Sequence, residues 1–170
     1  MGSPKADLGI DGTTFLDRIV NVLLGVFDMV YVCGGDRTVL GSTLIHDPFP
    51  HAGPLGGVVS ALHSAGEAAV FITSVDLPLL SPSTVRALCD PVVGHGHARI
   101  ARVDGRPQPL CGMFSGDLVD LADRHLRSPD RSVIGFVRDV SHLELVDITD
   151  GSLRNINTPA DYEALIAEFT

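Results

Sequence analysis

The chain has 170 residues, of which 45% are apolar and 19% charged, enough to close one ordinary core, so a single domain is expected. A formal charge of −9 without a basic stripe excludes a nucleic-acid surface, because phosphate-backbone binding needs clustered lysines and arginines. No run approaches the roughly 20 uncharged apolar residues of a membrane span and no signal-peptide pattern opens the chain, so the expectation is a soluble, cytoplasmic protein without membrane contact.

In chain order, Phe15, Ile19 and Leu23 fall on one helical face beside Leu16, Val20 and Leu24, which predicts a helix from Thr13 or Thr14 to Leu24. Met29–Cys33 reads as a short buried strand closed by Gly34-Gly35, and Leu44-Ile45 as a weaker one ending at His46-Asp47-Pro48. After Gly53-Pro54, the spacing of Leu55, Val58, Val59 and Leu62 predicts an amphipathic helix. Gly56 and Gly57 weaken it by roughly 1 kcal/mol each, a cost that suggests close approach by another group.

Val70 to Pro78 is a continuous apolar run that ends in one acid, Asp76, and a turn. Such a run is buried on both faces, as in a central parallel strand. Its acid then emerges at the carboxyl end, where open α/β sheets bind ligands, and a carboxylate there suits Mg²⁺ held against nucleotide phosphates. A turn or capping aspartate is the alternative.

Ser81-Pro82 caps a helix carrying Val85, Leu88 and Cys89 on its buried face. Ala98–Val103 and Leu110–Phe114 read as strands around Asp104-Gly105, with Pro107 and Pro109 arguing against a tight, regular hairpin. Asp117–Leu126 and Ser132–Arg138 read as helices, His142–Ile148 as a half-buried strand, and Thr158-Pro159 as the start of a last helix with Tyr162, Leu165, Ile166 and Phe169 on its apolar stripe. Strands alternating with helices predict an α/β sandwich, a mostly parallel sheet covered on both faces. Cys33, Cys89 and Cys111 lack metal spacing and read as reduced, mostly buried small hydrophobes. The seven histidines show no metal-ligand spacing, and His95-Gly96-His97 belongs to a loop.

Four segments fall in loops after strands or at helix starts, Met1 to Lys5, Asp47 to Gly57, Asp76 to Pro78 and Asn155 to Pro159, and five short motifs follow in order: Met1-Gly2-Ser3-Pro4-Lys5, Gly53-Pro54-Leu55-Gly56-Gly57, Val75-Asp76-Leu77-Pro78, Gln108-Pro109-Leu110 and Asn155-Ile156-Asn157-Thr158-Pro159. Their order resembles the molybdenum cofactor guanylyltransferases, whose nucleotide signature L-x-G-G-x-S-x-R-M-G-x-x-K is matched from its methionine onward. The resemblance implies a Rossmann-like three-layer sandwich of the nucleotide-diphospho-sugar-transferase type. It implies transfer of GMP from GTP to molybdopterin or molybdenum-molybdopterin, with Mg²⁺ as cofactor and molybdoenzyme apoproteins or delivery chaperones as further partners. A molybdopterin cytidylyltransferase and a non-catalytic pterin-binding relative are the alternatives.

By the same resemblance, Lys5 binds GTP phosphates and Gly2 belongs to their cradle, Asp76 ligates Mg²⁺, and Gly53, Pro54 and Leu55 lie against the nucleotide with Gly56 and Gly57 leaving room. Asp47 touches the guanine or ribose side. Asn155 and Asn157, with Gln108 beside them, face the pterin, for which an amide offers both donor and acceptor. Each position also has a plain reading: a surface lysine at Lys5, a turn at Asp47, a helix-start turn at Gly53–Gly57, and a turn before the Thr158 cap at Asn155–Asn157.

The family's first strand and glycine-rich turn precede the methionine that opens this sequence. Without about five buried side chains at ~1.5–3 kcal/mol each, set against a typical stability of ~5–15 kcal/mol, a chain starting at Met1 is expected to fold poorly or to need a substitute strand. A late start assignment, a shortened sequence, a true truncation or a vector-derived Met-Gly-Ser are the alternatives.

Overall fold

The computed structural model describes residues 5–46, 49, 52–89 and 95–169. A single 3-10 turn, Lys5–Asp7, leads into a hairpin of two short strands, β1 (Gly9–Ile10) and β2 (Thr13–Thr14). Its corner is an Asp-Gly pair, Asp11 and Gly12, both with positive φ (49° and 74°), the conformation that a two-residue hairpin turn requires. Helix α1 (Phe15–Leu24) follows at once, with the Thr14 hydroxyl accepting from the Asp17 N–H as its cap.

Strand β3 (Tyr31–Cys33) pairs in parallel with β4 (Thr43–Ile45), and the chain crosses through α2 (Pro54–Ala65) to β5 (Val70–Thr73). Then come α3 (Pro82–Leu88), β6 (His97–Val103), β7 (Arg106–Phe114), α4 (Val119–Arg127), α5 (Val133–Arg138), β8 (His142–Asp147) and α6 (Pro159–Ala167). Among the described residues, β5, β7, β6 and β8 form one sheet in that order, separate from the β3–β4 pair. Side chains of α2, α4 and α5 cover one face with Val58, Leu62, Ala122 and Phe136, and α1 and α3 cover the other with Ile19, Val20, Val85 and Leu88. The three-layer α/β arrangement is therefore as expected from the alternation of strands and helices.

Strand directions are mixed. β5 is antiparallel to β7 and, among the described residues, stands at the edge of its sheet rather than parallel in the middle. Nor is the strand buried on both faces: Ile72 is buried, while Val70, Phe71 and Thr73 are half-buried beside a cavity that they line, so an apolar run fixes neither full burial nor pairing direction. Both β3 and β5 line an apolar cavity of about 580 Å³, shared with Val58 and Ala61 of α2 and with Leu110.

The β6–β7 connection is a second departure. Asp104 and Gly105 (φ 48° and 75°) close a tight two-residue turn despite the nearby prolines. Pro107 still pairs with Arg102, and Pro109 falls in an irregularity where the partner of Ile100 is Gly112 but that of Ala101 is Gln108. A proline's missing N–H costs nothing where the ladder is already interrupted. No described helix is long and apolar enough to cross a membrane.

Candidate functional site

Asp76 lies just past the carboxyl end of β5, whose ladder is extended by Ser74 N–H donating to the Leu110 carbonyl at 3.1 Å. The segment before the last helix closes on the same point, with the Ile156 N–H donating to the Asp76 carbonyl at 3.0 Å. Ile156 is fully buried and packs with Ile10, Phe15 and Leu165 in a third core cluster. This explains the Asn-Ile-Asn pattern physically. The isoleucine anchors the segment, while Asn155 is half-buried and Asn157 exposed on either side of it.

Lys5 arrives at this point from the other end of the chain. Its ammonium stands 3.2 Å from Asp76 Oδ1 and donates to Asn157 Oδ1 at 2.7 Å. Both Lys5 and Asp76 side chains are about 30% exposed, so the pair can be reached by a ligand. Asn155 Nδ2 donates to Gln108 Oε1 at 3.3 Å, joining two half-buried amides one residue before the Ile156 bond to Asp76.

Three residues not singled out from the sequence as site residues hold this arrangement. Asp161 accepts from the N–H groups of Asn157 and Thr158 at 3.0 and 2.7 Å, while its own N–H donates to Thr158 Oγ1, a reciprocal capping box. Those backbone N–H groups hold its carboxyl below the usual range, helped by the Thr158 hydroxyl and the nearby Lys5 charge. Tyr162 donates its O–H to the Gly9 carbonyl at 2.8 Å, tying α6 to the segment that carries Lys5. Arg37 donates to Asp7 at 3.0 Å, to the Ala6 carbonyl at 3.3 Å and to Asp17 at 2.7 Å, fixing the turn beside Lys5 from outside. The Thr-x-x-Asp spacing was a readable signal for Asp161; no local pattern marked Arg37 or Tyr162 as parts of the site.

Gly53 and Pro54 open α2, with Gly53 at φ 64° as the cap and Pro54 in the first turn. They line the apolar cavity together with Ser74 and Val75, the two residues before Asp76. Leu55 is fully buried in the core, backbone included, so it supports the loop from beneath and, contrary to the expectation, offers no surface to a ligand. Within the protein itself Gly57 is not tightly packed: a Cβ built on it meets Cys33 Cβ at 3.9 Å, an ordinary contact. Gly2 and Asp47 lie outside the described residues.

The donor set suits a metal shared with phosphates rather than one caged by protein. Among the described residues no cluster of three or more His, Cys, Asp or Glu side chains could hold an ion. Mg²⁺ is commonly held by one or two carboxylates, completed by phosphate oxygens and water. Asp76 offers one such carboxylate, already facing a positive charge.

The model for the MobA-like NTP transferase domain matches residues 1–142. The chain belongs to the MobA-like NTP transferase family. It is accordingly a nucleotidyltransferase, and the molybdenum cofactor guanylyltransferase of Desulfosudis oleivorans is 31% identical to it, over 95% of this chain and 85% of that protein. The crystal structure of molybdopterin-guanine dinucleotide biosynthesis protein A from Archaeoglobus fulgidus superposes with a TM-score of 0.78 at 18% identity, covering 98% of this chain and 91% of that one. A Mycobacterium tuberculosis H37Rv protein crystallised in complex with manganese shares the fold as well, with a TM-score of 0.73 at 20% identity over 98% and 93% of the two chains. The family membership and the fold thus agree with the resemblance carried by the five motifs.

Proposed function

We propose that this member of the MobA-like family transfers GMP from GTP to molybdopterin or molybdenum-molybdopterin and releases pyrophosphate. The observation that carries the reading is the meeting of Lys5 and Asn157, from opposite ends of the chain, with Asp76 past the carboxyl end of β5. The similarity to a molybdenum cofactor guanylyltransferase supports the choice of substrates.

In this reading the terminal phosphate of the pterin substrate attacks the α-phosphorus of GTP. A new oxygen–phosphorus bond forms there as the bridge to the β-phosphate breaks, and the electron pair leaves with pyrophosphate. A phosphate monoester is already largely ionised near neutrality, so no side chain has to remove a proton. The work of the protein is orientation and charge neutralisation. Lys5 supplies a positive charge for the phosphates, and Asp76 is the residue that would hold Mg²⁺. Bound there, Mg²⁺ would offset the negative charge that builds on the phosphate oxygens. Gly53 and Pro54 border the nucleotide, and Asn155 with Gln108 takes the polar edge of the pterin. Asn157, whose amide oxygen holds Lys5, serves the nucleotide side as well as the pterin.

Pyrophosphate release from GTP and from CTP, each with and without molybdopterin and Mg²⁺, tests this function. Release that requires GTP, molybdopterin and Mg²⁺ together is the expected result. Release from CTP alone would make the chain a cytidylyltransferase, and pterin binding with no release from either nucleotide would make it a carrier.

A further inference from the structure

Lys5 sits on the very carboxylate assigned to the metal. Its Nζ is 3.2 Å from Asp76 Oδ1 and 2.7 Å from Asn157 Oδ1, so the ammonium has two anchors of different chemistry. One is an anionic oxygen for which a divalent ion competes strongly; the other is a neutral amide oxygen with far less pull on such an ion. The amide anchor is itself fixed, because Asp161 gathers the Asn157 and Thr158 N–H groups and Ile156 locks the segment into the core. With about 30% of each side chain exposed, the ion pair is open to exchange with ions from solution.

We propose that Lys5 is a placeholder cation: it occupies Asp76 in the ligand-free chain and gives way when a divalent ion arrives, staying tethered through Asn157. The inference rests on the reading of Asp76 as the metal-holding residue. Its consequence is a coupling between metal and nucleotide. A bare divalent ion must displace the ammonium and then remain near it, and a double and a single positive charge about 5 Å apart repel by an amount worth about tenfold in affinity even at the dielectric constant of water. A nucleotide removes that penalty, because its phosphates take up the displaced ammonium. Metal and nucleotide then each raise the other's affinity, as linkage requires.

The test uses Mn²⁺ as the probe, its binding to the full chain measured by titration calorimetry or by the paramagnetic resonance signal of the free ion, without nucleotide. Lys5→Met keeps the side-chain stem and removes the charge; it is expected to bind Mn²⁺ about three- to tenfold more tightly than the parent. Lys5→Arg, which keeps the charge, is expected to bind no more tightly than the parent, and Asp76→Asn to lose binding. With GTP present the order reverses, and Lys5→Met holds Mn²⁺ more weakly than the parent. Lys5→Gln replaces Lys5→Met should the latter fail to fold. Equal or weaker Mn²⁺ binding by the uncharged variant without nucleotide overturns the proposal, even if Asp76→Asn behaves as expected. Unchanged Mn²⁺ binding by Asp76→Asn instead overturns the assignment of Asp76, and the placeholder role with it.

Discussion

Truncating Ile156 to alanine should damage stability and site together. The side chain is fully buried against Ile10, Phe15 and Leu165. Loss of its transfer free energy and the cavity left behind place such a change at about 2–5 kcal/mol. Here the surroundings are poorly able to collapse. The Ile156 backbone is pinned by its hydrogen bond to the Asp76 carbonyl, and the elements around it are tied separately by Tyr162 to Gly9. We therefore expect about 3–4 kcal/mol, a large share of a typical ~5–15 kcal/mol stability. At about 2–4 °C per kcal/mol for a chain of this size, the melting point should fall by roughly 10 °C. Ile156→Val should cost only about 0.5–1.5 kcal/mol. Urea unfolding measures both, and GTP affinity measured well below the unfolding transition should fall in the alanine variant, because Asn157 no longer has a fixed base from which to hold Lys5. A loss below about 1 kcal/mol in Ile156→Ala, with unchanged denaturant slope, would refute the role of this residue as the anchor of the site.

Glycine positions give a paired test: Gly57→Ala should stabilise α2 by about 0.5–1 kcal/mol, since the new Cβ meets Cys33 Cβ at 3.9 Å. Gly112→Ala should destabilise instead, its Cβ falling 2.3 Å from the Arg99 carbonyl oxygen on the neighbouring strand; urea midpoints that move the same way for both would contradict the packing. Burial pushes the Cys111 thiol up to about 12, so at pH 8 it should resist a thiol reagent until the chain unfolds, and replacing it with serine should leave the rapidly reacting thiol count of the native protein unchanged. The Asp17 carboxyl is held below its usual range by the Thr14 hydroxyl and then by Arg37, against the opposing effect of its own burial. Its lowered folded pKa means that its stabilisation is present above the unfolded value of about 3.9 and disappears as pH falls through the lower folded value. Urea midpoints should therefore drop more steeply below about pH 4 in the parent than in Asp17→Asn, and identical acid slopes would remove this carboxylate from the explanation.

Local chemistry was the most legible part of this chain. Thr14, Ser81, Ser132 and Thr158 all cap the helices that their positions predicted, each accepting a backbone N–H, because a cap is decided within four residues. Neither the pairing direction nor the partial burial of β5 was legible, since an apolar run does not name its neighbours. Pro107 and Pro109 argued against the tight β6–β7 turn, but the ladder irregularity beside Ala101 accommodates Pro109, while Pro107 keeps its place opposite Arg102. The β1–β2 hairpin was missed although Asp11-Gly12 is a turn signal, because its strands are two residues each and carry no periodicity. The contact of Lys5 with Asn157 spans 152 positions, and no spacing rule reaches so far. Those two residues were drawn to one site through the ordered family motifs, whereas the supporting hydrogen bonds of Arg37 and Tyr162 needed three-dimensional structure.

The most direct test of the central claim is Mg²⁺-dependent pyrophosphate release from GTP in the presence of molybdopterin, comparing the parent chain with Asp76→Asn. The asparagine keeps nearly the same shape at a half-buried position past the strand end, and the Ile156 hydrogen bond uses the Asp76 backbone rather than its side chain, so the melting point should stay within a few degrees of the parent. Turnover should nevertheless be lost, because the carboxylate assigned to the metal is gone. A folded Asp76→Asn variant that still releases pyrophosphate within a few-fold of the parent rate would contradict the assignment of this site.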